Sequence, residues 1–193
     1  MKAISKDTGV EELAGFVAEH LRSHGIEVVL SGGALVGIYS AGEYMSKDID
    51  LITFATTKAL VPALAEIGFR KGPGRHFIHP DTDILVEFPR GPVAVGQEII
   101  KDIVQLDTLG GRVGVLKPTD AVKDRLAGYL HWNHAASFAQ AKLIAERHEV
   151  DLDAIVAWAN NERASPEMIS RIRQMLLEST ESRGKPGDRK RPE

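Results

Sequence analysis

Two features of the chain combine residue types and spacing that could do chemistry. The first is Ser31-Gly32-Gly33, which interrupts the apolar run Ile26 to Leu30 and precedes the short apolar stretch Ala34 to Tyr39. A strand that runs through a glycine pair into a helix leaves backbone N–H groups at the helix start, and without a Cβ that backbone approaches a ligand closely. Such a turn can hold a phosphate through N–H donors and the helix dipole. The second is Asp48-Ile49-Asp50-Leu51. On a strand, acids at i and i+2 share a face about 6–7 Å apart, with Ile49 directed into the core. Two carboxylates arranged in this way suit a divalent ion of the Mg²⁺ type, which takes hard oxygen ligands and substrate phosphates. A pair of such ions can steady the attacking and leaving oxygens of a phosphoryl or nucleotidyl transfer.

A third acid is expected from a neighbouring strand. The run Asp83-Ile84-Leu85-Val86-Glu87-Phe88 offers two, Asp83 and Glu87, on one face at period 2. Glu87 is favoured, because it lies among apolar neighbours, whereas Asp83 sits beside a turn.

The elements that must position these groups follow from periodicity. Thr8 and Glu11 have capping-box spacing ahead of Val10, Leu13, Phe16, Val17 and Leu21, which recur at helical period up to a stop at Gly25. Strands are expected at Ile26 to Leu30 and Ile49 to Phe54, and a helix from Thr57 to Ile67. Strands follow at Arg75 to His79 and Asp83 to Phe88, then a hairpin of Ile103 to Thr108 with Arg112 to Leu116. After Pro118 the pattern is helical throughout. Thr119 or Asp120 is the expected cap of a helix to about Trp132, and Ser137 to His148 reads as the next. Asp151 caps a third, and Ser165-Pro166 opens a fourth to about Glu178. The chain thus divides into an α/β unit at 1–117, a helical unit at 118–181 and a tail at 182–193 expected to be disordered.

The glycine pair followed by Asp-x-Asp on the next strand resembles the signature of the DNA polymerase β-like nucleotidyltransferase superfamily. Ser46-Lys47-Asp48-Ile49-Asp50-Leu51 is similar in particular to small bacterial and archaeal members, including the toxin nucleotidyltransferases of type IV toxin–antitoxin systems. The likeness extends to Leu116-Lys117-Pro118-Thr119-Asp120, which introduces a helical segment. It implies an α/β (α+β) fold, a small mixed β-sheet core with flanking helices and a helical C-terminal unit. It also implies transfer of a nucleoside monophosphate from an NTP to an acceptor, which is RNA, a protein or a small molecule such as an aminoglycoside. An antitoxin protein would be the partner in the toxin case. Under this resemblance Ser31, Gly32 and Gly33 hold the triphosphate, and Lys123 reaches a phosphate across the cleft. Asp48, Asp50 and Glu87 ligate Mg²⁺ or Mn²⁺, with Glu87 alternatively the base for the acceptor. Fourteen residues separate Gly33 from Asp48, more than the superfamily's usual gap, so Ser40 to Tyr44 is expected to form a longer loop.

Other residues have plainer readings. His76 and His79, three apart on a strand, fall on opposite faces. His131 and His134 could share an ion, but no zinc-like pattern accompanies them. Lys123, Asp124 and Arg125 read alternatively as a solvated helix face, and Tyr129, Trp132 and Phe138 as packing residues. Lys47 reads as an exposed strand-entry lysine, and Arg189-Lys190-Arg191 as a solubilising end. No P-loop and no Gly-x-Ser-x-Gly elbow occurs. The absence of cysteine removes thiol nucleophiles and thiolate metal sites and fits a cytoplasmic protein. The net charge of -3 is not that of a polycation, and no apolar run is long enough to span a membrane. A protein that keeps this fold and binds nucleotide or RNA without catalysis is the rival reading. A Glu87 remote from Asp48 and Asp50 would favour it.

Overall fold

In the computed structural model, which describes residues 4–183, a mixed seven-stranded sheet carries the candidate residues and a group of helices packs beside it. Helix α1 (Val10–Ser23) buries Leu13, Val17 and Leu21. Its cap is Gly9, with no side-chain bond, because the Thr8 hydroxyl accepts the Ser5 N–H instead; the expected capping box does not form. At the other end Gly25, at φ +72°, turns the chain so that its own N–H and that of Ile26 bond back to Arg22 and Leu21. Ile26 to Val28 therefore close the helix and stay out of the sheet, and strand β1 is only Val29–Ser31.

Helix α2 (Gly32–Tyr39) follows β1 without a linker, and β2 (Asp48–Ile52) returns antiparallel to it. Then come α3 (Thr57–Ala65), β3 (Arg70–Lys71), β4 (His76–Ile78) and β5 (Leu85–Glu87). A small separate hairpin, β6 (Ala94–Val95) with β7 (Glu98–Ile99), precedes the longer one, β8 (Ile103–Thr108) with β9 (Gly111–Leu116). The sheet order is β3-β4-β5-β2-β1-β9-β8, with β1–β9 and β2–β5 parallel and the other neighbours antiparallel. Helix α1 crosses the β8–β9 turn so closely that a Cβ on Gly15 would lie 2.0 Å from the Thr108 hydroxyl.

The remaining helices are α4 (Pro118–Trp132), α5 (Ala135–Arg147), α6 (Leu152–Asn161) and α7 (Pro166–Arg183). Pro118 is itself the first residue of α4 and Lys117 its cap, displacing the expected Thr119 or Asp120. Thr119 is otherwise engaged, its hydroxyl accepting the N–H of Asp151, which caps α6 as expected. Because α7 continues to Arg183, residues 182 and 183 are helical; the rest of the expected tail, with Arg189 to Arg191, lies outside the described residues.

The apolar core runs without a break from Leu30, Ile49, Leu51 and Val115 in the sheet to Leu126, Ile144, Ile155 and Ile172 in the helices. Polar ties reinforce it. Tyr39 donates to the Leu116 carbonyl at 2.6 Å, and burial pushes its phenol up to about 12. The Trp158 indole donates to Val95, and buried Glu162 accepts from the Gln97 N–H, holding the small hairpin against the helices. No helix among the described residues is long and apolar enough to cross a membrane.

Candidate active site

The site is assembled by strand register. Ser31 is paired with Asp50 across β1–β2, Asp50 with Glu87 across β2–β5, and Glu87 with His76 across β5–β4. Asp50 is therefore the middle of three neighbouring strands, and Asp48 lies one pleat away on the same face. Asp83 precedes β5 and is paired with none of them, so of the two candidate third acids only Glu87 is in strand register with Asp50.

Gly32 has φ +71°, a conformation in which L side chains are strained. It also faces the carboxylate directly: a Cβ there would lie 2.2 Å from Asp50 Oδ2. The glycine thus serves two purposes, the turn from strand into helix and room for the acid. Gly33 borders Ser46, whose hydroxyl accepts the Asp48 N–H at 3.1 Å and donates to the Asp48 carbonyl at 3.0 Å. The segment between α2 and β2 folds back through Ala41 and Gly42, both at positive φ, and the Tyr44 N–H bonds to Ser40 Oγ. It forms a compact return along α2, and with the start of α1 it walls a pocket of about 250 Å³ lined by Ala34, Ile38, Tyr44 and Met45.

The electrostatics are unusual for a half-buried acid. Desolvation, and after it the charge of Glu87, raise the Asp50 carboxyl to about 6; Asp124 and Asp48 add to the rise, while Arg125 opposes it. Glu87 has partners of its own, His76 Nε2 at 2.5 Å and Arg75 at 3.4 Å. The oxygens of Asp48, Asp50 and Glu87 do not all lie within 4.8 Å of one another.

The Asp48–Asp50 pair, without Glu87, has the donor chemistry for a hard divalent ion. Asp48 is exposed, Asp50 is crowded by negative charge, and both offer only oxygen, as Mg²⁺ or Mn²⁺ requires. The cradle left by the missing Cβ of Gly32 keeps the Asp50 carboxylate free of backbone overlap.

The structure departs from the sequence reading at Lys123 and Trp132. Lys123 is buried and its amine is held by Glu98 at 3.0 Å and Asp120 at 3.4 Å, so it is neither a solvated charge nor extended toward the acids. The α4 cation acting on Asp50 is Arg125, which is paired with Asp124 and reaches Gln140. Trp132, expected to pack, is 73% exposed, whereas Tyr129 and Phe138 pack edge to face under Arg171. His131 and His134 do not converge: the first bonds to Glu162, the second to Ser137. Residues 76 and 79 diverge as anticipated, His79 packing on Phe69.

No protein-family model matches the sequence, and no curated protein is significantly similar to it. Among solved structures, an antigenic nucleotidyltransferase-like protein from Paracoccidioides brasiliensis superposes with a TM-score of 0.56 at 15% identity, over 93% of this chain and 90% of that one. The chain has the nucleotidyltransferase fold. A further match, the antibiotic-resistance factor ANT(2'')-Ia, has a TM-score of 0.46 at 12% identity, over 90% of this chain and 93% of that one.

Proposed function

We propose that the protein is a metal-dependent nucleotidyltransferase that moves a nucleoside monophosphate from an NTP to an acceptor hydroxyl. The observation that carries this reading is Asp50, flush against Gly32 at the start of α2 and in register with Glu87. A raised-pKa acid there lies beside a strand-to-helix turn of the kind that can hold a phosphate, which supports this reading.

In this reading Gly32, Gly33 and Ser31 bind the phosphates at the head of α2. Asp48 and Asp50 hold Mg²⁺ or Mn²⁺, which supplies positive charge to the phosphate oxygens when bound. The acceptor oxygen forms its bond to the α-phosphorus as the bond to the bridging oxygen breaks and pyrophosphate leaves. Glu87, with His76 behind it at 2.5 Å, receives the hydroxyl proton. Lys123 keeps α4 in place through its acidic partners and takes no part in binding.

The test is calorimetric titration of each NTP with Mg²⁺ into the wild type and into Asp48→Ala/Asp50→Ala, followed by a screen of tRNA, protein and aminoglycoside acceptors with the NTP that binds. Metal-dependent binding lost in the double variant, together with pyrophosphate release on adding an acceptor, is the expected result. Equal binding in both proteins would reject the assignment, and binding without turnover on any acceptor class would leave a nucleotide-binding module. The toxin reading is checked by inducing the chain in cells: growth arrest that Asp48→Ala/Asp50→Ala abolishes supports it, and unaffected growth removes it along with the antitoxin.

A further inference from the structure

A second group of metal-ligating side chains lies well away from the acids. His20, in the last turn of α1, and His24, its C-cap, are four residues apart, and Glu66 follows directly on α3. Among the described residues these are the three whose potential ligand atoms all come within 4.8 Å of one another. Glu66 Oε2 is 3.1 Å from His24 Nε2 and 3.9 Å from His20 Nε2. Tetrahedral bonds of about 2.0–2.1 Å place ligand atoms about 3.3 Å apart, which falls between those two separations.

The His24 ring is oriented from behind. His24 Nδ1 lies 3.0 Å from the His20 carbonyl, an acceptor only, so this nitrogen carries the proton and Nε2 is turned toward Glu66. A histidine held through one nitrogen by a carbonyl and offering the other is the outer-shell arrangement of metal-binding imidazoles. His20 Nε2 donates to the Ala63 carbonyl at 2.7 Å, and this is the proton that an ion at the cluster displaces. The cluster is open to solvent, with side-chain exposures of 13%, 32% and 59% for His20, His24 and Glu66. It is also separate from the nucleotide site. Val10 and Glu11, at the start of α1, border the pocket that includes Ser46, whereas His20 is ten residues, or about 15 Å, further along the helix.

We infer that His20, His24 and Glu66 form a binding site for a zinc-type divalent ion that clips the end of α1 to the end of α3. Two imidazoles and one carboxylate are the nitrogen and oxygen ligands such an ion takes, with water or the Ala63 carbonyl completing four. Binding releases to solvent the protons carried by the coordinating nitrogens. The consequence is structural: the ion joins two helices that precede and follow β1 and β2, and stabilises the folded chain by mass action.

The test is titration of Zn²⁺ into the full chain, followed by calorimetry and thermal unfolding, with Co²⁺ absorption as a direct report of ligation. The expected result is one ion per chain and a Tm raised by about 5–10 °C at an ion concentration about a hundredfold above Kd. The shift and the Co²⁺ visible bands persist in Asp48→Ala/Asp50→Ala and are lost in His24→Ala and in Glu66→Gln, which replaces an exposed side chain by its neutral isostere and leaves folding intact. Absence of a shift in the wild type would overturn the inference. So would a shift that survives both His24→Ala and Glu66→Gln, or one lost in Asp48→Ala/Asp50→Ala, which would place the ion at the acids. The outcome is independent of whether the chain transfers nucleotides.

Discussion

Replacing Asp50 by Asn tests the electrostatic account of the site without invoking any substrate. The folded chain raises this carboxyl from 3.8 to about 6, chiefly by desolvation and by the charge of Glu87. A raised folded-state pKa means that stability is fully retained below the unfolded pKa and is lost as pH rises through the folded one. Between about pH 4 and pH 6 the wild type therefore loses stability as Asp50 is forced to ionise. Two pKa units correspond to about 3 kcal/mol, and about half of that penalty has set in by pH 5. Asn cannot ionise and escapes it. Asp50→Asn is thus expected to unfold about 6–12 °C above the wild type at pH 7.5 without metal, and at pH 5 the gap narrows to about half. Saturating Mg²⁺ should raise the Tm of the wild type toward that of the variant and leave the variant unmoved. Thermal unfolding by circular dichroism at the two pH values, with and without Mg²⁺, measures all of this. A variant less stable than the wild type at pH 7.5, or a gap that does not depend on pH, would refute the reasoning, since neither is compatible with a desolvated, charge-crowded Asp50.

Four other outcomes follow from the same geometry. Gly32→Ala puts a Cβ against Asp50 Oδ2 at positive φ, so it should cost about 1–3 kcal/mol of stability in denaturant titration and abolish Mg²⁺-dependent NTP binding. Lys123→Ala strips the partner from half-buried Asp120 and from Glu98, and should cost about 2–3 kcal/mol in the same assay while NTP affinity stays within about twofold; a large affinity loss at unchanged stability would return Lys123 to the binding site. Arg125→Gln removes the one cation that opposes the rise at Asp50, so the acidic limb of Mg²⁺ binding should move to higher pH in calorimetry. Tyr39→Phe deletes the buried bond to Leu116 and should cost about 1–2 kcal/mol of stability with metal binding unchanged.

The sequence by itself determined the parts of the site that depend on local spacing. A period of two puts Asp48 and Asp50 on one strand face wherever that strand lies, and a glycine pair between an apolar strand and an apolar helix reads as a turn in any surroundings. Proline at 118 marked the change to helices, and the two runs joined across Gly110-Gly111 gave the hairpin with nearly its observed bounds. Tertiary structure decided whatever depends on partners distant in the chain. Only the β2–β5 register put Glu87, and not Asp83, beside Asp50, because pairing between residues 37 positions apart leaves no trace in either segment. Only the rotation of α4 against the sheet buried Lys123 on Glu98 and brought Arg125 to act on Asp50, two positions that a helix turns about 200° apart. The two-residue strands β3, β6 and β7 were illegible because so short a segment has no period of its own and exists through its neighbours. The spacing of His20 and His24 stood in the sequence throughout, but it became a candidate centre only when α3 brought Glu66 across to them, since a third ligand from another helix is a fact of packing and not of spacing.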